Sequence, residues 1–120
     1  MGPPDKADQR RREMLEDGAA CHLVVDFIGH FCNPLRLRIL CALSISETSV
    51  NELTEMAGAR QPAVSQQLNL LRRSGLVDRR RDGNRNLYRI ADPLVLEMME
   101  SIFNVAEELV ARQEPRERVC

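Results

Sequence analysis

Aromatic side chains are nearly absent from this 120-residue chain, which has three Phe, one Tyr and no Trp. A core must therefore be aliphatic, built from Leu, Val, Ile, Met and Ala, and the length suits one domain at the small end of the range. No apolar run approaches the ~20 residues of a membrane-spanning helix. The N-terminal MGPPDKADQRRREM is polar, without a signal-peptide core. A cytoplasmic location and no membrane partner are expected. A Gly-rich phosphate loop, a nucleophile elbow and a repeated Cys-x-x-Cys are missing too, so neither an enzyme nor a bound cofactor is expected. Without secretion signals, Cys21, Cys32, Cys41 and Cys120 read as reduced thiols, inert or sensing, rather than disulfide staples.

The formal net charge of −1 hides an uneven distribution. Residues 60–90 hold eight Arg against two Asp, whereas both flanking segments are acidic. Polyelectrolyte binding depends on such a local patch, so the overall acidity does not argue against a nucleic-acid partner.

The patch begins inside the stretch that organises the chain, SVNELTEMAGARQPAVSQQLNLLRRSGL, residues 49–76. Ser49 and Glu52 have the spacing of a capping box, in which a hydroxyl and a carboxylate satisfy free amides at a helix start. Val50, Leu53 and Met56 follow at helical spacing, and Gly58 suits the left-handed end. A second helix is expected from Gln61-Pro62, with Val64, Leu68 and Leu71 inward and Gly75 as its stop. Gln61, Ser65, Gln66 and Gln67 offer amides and hydroxyls suited to base edges. A solvated surface helix is the plainer alternative.

Val77 to Ile90 reads as two short strands around Asp82-Gly83, a dipeptide that favours a hairpin turn. Arg79, Arg80, Arg81, Arg85 and Arg89 crowd it. A helix-turn-helix followed by a basic hairpin is the layout of a winged helix. The blocks NPLRLRILCAL, SVNEL, QPAVSQQLNLLRRSGLV and RRDGNRNLYRIADP, in that order, resemble the ArsR/SmtB repressors over residues 23–112. The resemblance implies a mainly α winged helix-turn-helix, five helices with a two-stranded β-wing, that represses transcription by binding double-stranded DNA. Arg60, Gln61, Ser65, Gln66, Gln67, Arg72, Arg79, Arg81 and Arg85 are the expected DNA contacts. The family usually caps the recognition helix with Ser or Thr, where this chain has Arg60.

Residues 1–9 are expected to be disordered, 10–113 to form the domain and 114–120 to be a flexible tail. One helix is expected from about Gln9 to Phe31 and another from Pro34 to about Ile45, with Arg36 and Arg38 outward. A last helix starts at Asp92-Pro93. Its stripes Leu96, Met99, Phe103, Ala106, Val110 and Met98, Ile102, Val105, Leu109 cover too much circumference for one contact. A homodimer through the first and last helices follows, as in the resembled family, with a pseudo-palindromic operator.

His22 and His30, with Asp26 between them, read as a polar strip in preference to a metal face. The resembled family's metal sites are not matched: SVNEL lacks a thiolate pair and the last helix lacks His. RLRILC, ending in Cys41, resembles the family's thiol-based sensors of persulfides or oxidants, which pair this cysteine with one in the last helix. Here no cysteine lies there before Cys120. Cys32 and Cys41 are the candidate sensor thiols, acted on by a small inducer. With a regular helix between them their Cα atoms are about 12–13 Å apart, too far for a direct disulfide. Alternatives are a soft-metal, arsenite-type response, purely structural cysteines, a winged helix used for protein–protein assembly, and a thiol oxidoreductase.

Overall fold

The computed structural model describes residue 2 and residues 5–119, the last six of them as helical backbone only. Its contacts divide the chain into two units, Met1–Pro34 and Leu35–Cys120. Among the described residues there are six helices and a three-stranded sheet.

The first unit holds α1 (Lys6–Glu16) and α2 (Gly18–Gly29) in place of one continuous helix. The break has a local cause. Asp17 takes an extended conformation, and its carboxylate accepts hydrogen bonds from the N–H groups of Ala19 and Ala20. Its own N–H donates to the Glu13 carbonyl and closes α1. A capping Asp followed by Gly thus stops one helix and starts the next. Helix α1 also begins inside the stretch expected to be disordered, with the Asp5 side chain accepting from Ala7 N–H. Neither α1 nor α2 contains a buried residue. Leu15, Leu23 and Val25 are exposed, and the ring of Phe27 in α2 packs against that of Phe31 just beyond it, at 5.5 Å between centroids.

The second unit carries the helix-turn-helix and the wing. Helix α3 (Pro34–Ile45) buries Ile39, Leu40, Ala42 and Leu43. Helices α4 (Val50–Ala57) and α5 (Gln61–Arg73) add Leu53, Val64, Leu68 and Leu71 from the expected inward stripes, and also Ala57, which is not in them, while Val50 is half-buried and Met56 exposed. Both helices end alike. After α5, Leu76 N–H donates to Leu71 carbonyl and Gly75 N–H to Arg72 carbonyl, with Gly75 at φ 79°. After α4, Ala59 and Gly58 make the equivalent bonds to Thr54 and Glu55. This is the Schellman pattern, which needs a left-handed residue and so favours glycine. Arg38, expected to face outward, donates from Nη1 to the Ala57 carbonyl at 3.2 Å. It thereby fastens α3 to the negative end of α4.

The sheet has the order β1-β3-β2, with β1 (Thr48–Ser49), β2 (Val77–Asp82) and β3 (Arg85–Ile90), all pairs antiparallel. The expected two-stranded wing therefore gains a third strand, which ties it to the segment entering α4. Asp82 pairs with Arg85, so the turn is Gly83-Asn84, one residue later than Asp82-Gly83. Only Gly83 has positive φ there, as a two-residue turn with glycine first requires. Asp92 caps α6 (Pro93–Val119) through Leu94 N–H. The helical backbone thus continues into the stretch expected to be a flexible tail, while Cys120 lies outside the described residues. On α6, Val95 and Met99 are buried, whereas Leu96, Phe103, Val105, Leu109 and Val110 are exposed.

Candidate nucleic-acid interface

Arg60 stands at the N-cap of α5 in extended conformation with no side-chain cap bond. Its position thus lacks the hydroxyl or carboxylate that usually satisfies the first amides, and Pro62 in the first turn removes one orphan N–H. Opposite the buried stripe of Val64, Leu68 and Leu71, the 3.6-residue period puts Gln66, Asn69 and Arg73 on the outermost face. All three are exposed. Gln61, Ser65 and Arg72 flank one side of that stripe, the first exposed and the other two half-buried. Gln67 falls on the other flank, half-buried, with its Oε1 enclosed and unpartnered. The structure therefore separates Gln67 from the group in which it was expected. It adds Asn69 and Arg73, which a strict count from Gln66 would have found.

The hairpin register sorts the wing arginines. Residues directly opposite one another share a face, and faces alternate along each strand. Arg80, Arg85 and Arg89 lie on one face with Asp78 and Asp82. Each of the three is engaged within the chain: Arg80 Nε with Glu47 Oε2 at 2.7 Å, Arg85 Nη1 with Glu52 Oε1 at 3.3 Å, and Arg89 Nη2 with Asp78 Oδ2 at 3.3 Å. Asp78 also accepts the Arg79 backbone N–H at 2.8 Å. That bond, with the one from Arg89, holds its carboxyl below the usual carboxylate range. Arg79 and Arg81 lie on the other face, where among the described residues no ion pair engages either. Arg81 Nε donates to the Gly83 carbonyl at 3.2 Å, which turns its guanidinium toward the hairpin tip.

The capping box expected at Ser49 and Glu52 is only half formed. Ser49 Oγ accepts from Glu52 N–H at 3.3 Å, whereas the Glu52 carboxylate meets Arg85. Pairing of Ser49 with Leu87 in the sheet already occupies that part of the backbone, so the carboxylate turns to the wing. Between the start of α4, Gln61 and the wing tip lies a groove of about 510 Å³. The surface thus offers amide donors and acceptors on one helix and guanidinium groups on the adjoining hairpin.

Away from this surface, Cys41 is half-buried in α3 and lines an apolar groove of about 410 Å³ with Leu37, Met56, Met99, Ile102 and Phe103, where Arg38 is the charged neighbour. Cys32, in the first unit, is exposed, and its thiol donates to the Ile28 carbonyl at 3.4 Å. Cys21 and His22 are exposed, and His30 is half-buried. Among the described residues no three of His, Cys, Asp and Glu are gathered as a metal site would need, and no helix is long and apolar enough to cross a membrane.

Residues 33–79 match the family described as bacterial regulatory protein, arsR family. A biofilm growth-associated repressor of Xylella fastidiosa is 32% identical over 101 residues, 84% of this chain and 87% of its own. The crystal structure of the AntR antimony-specific transcriptional repressor superimposes with a TM-score of 0.73 at 35% identity, over 79% of this chain and 86% of its own. A homodimeric winged helix-turn-helix DNA-binding domain from Mycobacterium bovis gives 0.65 at 28% identity, over 93% of this chain and 95% of its own.

Proposed function

The chain belongs to the ArsR family of bacterial regulatory proteins, a DNA-binding transcriptional repressor rather than an enzyme, and on that premise we propose that it is a homodimer released from its operator by chemistry at Cys41. In this reading Gln61, Ser65 and Gln66 meet base edges in the major groove. Arg60, Arg72, Arg79, Arg81 and Arg85 meet phosphates, which position without specifying.

A second copy of the chain is favoured by what each unit leaves uncovered. Helices of 11 and 12 residues that bury nothing, as α1 and α2 do, are marginal in water without tertiary packing. Leu96, Phe103, Val105 and Leu109 on α6 are likewise exposed. Joining these faces by a two-fold axis covers both and gives a two-fold operator.

The switch rests on one observation: Cys41 is half-buried in a groove that runs from α3 to α6, with Arg38 beside it and tied to the end of α4. A thiol lining such a groove is within reach of a small reagent. A persulfide or oxidant adding atoms to that sulfur crowds α3 against α6, the helix on which the dimer is proposed to form. A coupling of about 1–3 kcal/mol lowers operator affinity roughly 5- to 150-fold. Cys32→Ser shares the defect if the two thiols act together. Resemblance to an antimony-specific repressor keeps a soft-ion response as the second reading.

The test is DNA release by wild type, Cys41→Ser, Cys32→Ser and Cys120→Ser under polysulfide, oxidant and arsenite. Cys41→Ser is expected to bind normally and to stay bound under the reagent that releases wild type, while Cys120→Ser behaves as wild type. Full release of Cys41→Ser by all three reagents refutes the assignment. Release by arsenite alone selects the soft-ion reading.

A further inference from the structure

Three arginines of the wing are engaged by carboxylates of the same chain, but the three pairs are not equivalent. Arg89–Asp78 lies within the hairpin, and Arg80–Glu47 is short and the less exposed of the two pairs that leave it. The Arg85–Glu52 pair is longer, at 3.3 Å, and both side chains are about half exposed, 56% and 51%. It bridges the hairpin tip and the first turn of α4, and the groove beside it is also lined by Asn51, Gln61, Asn84 and Asn86. Gln61 opens α5, so an anion running from that helix to the wing passes this pair.

We propose that Glu52 limits the affinity of the protein for DNA by competing with the phosphate backbone for Arg85. A carboxylate and a phosphate diester offer the same guanidinium the same charge and acceptor type. Glu52 engages a single Nη1 contact, and an exposed pair of this strength is readily exchanged. On docking, Arg85 turns from Glu52 to a phosphate. The net gain is then smaller than for a free arginine, because the contact with Glu52 is given up as the phosphate contact forms. Arg79 and Arg81, on the opposite face of the hairpin, bear no such cost. Glu52 thus restrains the sequence-independent part of binding and leaves the base-reading face of α5 untouched. The inference rests on the reading that this surface docks on duplex DNA.

Binding of a random-sequence duplex to the full-length protein over a series of salt concentrations tests it, using wild type, Glu52→Gln, Arg85→Gln and the double variant. Glutamine keeps the length and an acceptor oxygen, and the Ser49 cap of α4 takes only the backbone N–H of Glu52, so thermal unfolding is expected to change little. Glu52→Gln is expected to bind about two- to fivefold more tightly, the range an exposed pair commands, with a salt slope steeper by up to about one unit. In the Arg85→Gln background the same change is expected to do nothing. Three results overturn the proposal. An undiminished gain in that background means that Glu52 repels DNA by itself. Weaker binding by Glu52→Gln means that it positions Arg85. No change means that the pair is idle. Failure of the wild type to bind any duplex at low salt is a different result, because it removes the DNA-docking reading itself.

Discussion

At the scale of single residues, the division between reading and anchoring follows from geometry. Gln66 is exposed on the outermost line of α5, and its amide can donate and accept toward one base. Replacing Gln66 with Ala is expected to cost about 1–3 kcal/mol of discrimination if the contact is bidentate. Arg81 is expected to act otherwise: Arg81→Ala weakens all duplexes alike and lowers the salt slope by about one unit. Competition with matched and mismatched duplexes separates the two, and altered sequence choice in Arg81→Ala alone reverses the roles. The residue types of this surface are legible in the sequence, because amides and arginines cluster there. Which arginines are already engaged is not. That depends on hairpin register, which sets Arg80, Arg85 and Arg89 on one face with acidic partners and Arg79 and Arg81 on the other.

At the scale of elements, helix ends were the most readable features. Gly58, Gly75 and Asp92-Pro93 end or start helices as their local chemistry requires. Gly75→Ala, forcing a side chain into φ 79°, is expected to destabilise by about 1–2 kcal/mol, read as a lowered urea midpoint with an unchanged slope. An unchanged midpoint means that the left-handed turn is not needed. Two elements were harder to read. Asp17-Gly18 splits the expected first helix because a capping carboxylate outweighs a continuing apolar pattern. The strand Thr48–Ser49 has two residues, too few for any alternation to show. It exists because β3 offers an edge to pair with, and a long-range pairing leaves no local trace.

At the scale of the whole molecule, the uncovered apolar faces carry the argument. The breadth of apolar positions on α6 is visible in the sequence, but its inward member Val95 is not, since it falls outside both expected stripes. Phe103 and Leu109, exposed on α6, suit a partner copy more than solvent. The double variant Phe103→Glu/Leu109→Glu is expected to sediment as a monomer that keeps its helical content and loses most of its operator affinity. A variant that remains dimeric moves the interface elsewhere. Cys120 lies outside the described residues, so its part in sensing rests on the variants above.

The central proposal is a symmetric protein that reads DNA with α5. Selecting bound duplexes from a random-sequence library addresses that directly. The expected product is an inverted repeat whose half-site centres lie one helical turn apart, about 10–10.5 base pairs, enriched by wild type and blurred by Gln66→Ala. Recovery of unselected sequences, or of none at low salt, contradicts it.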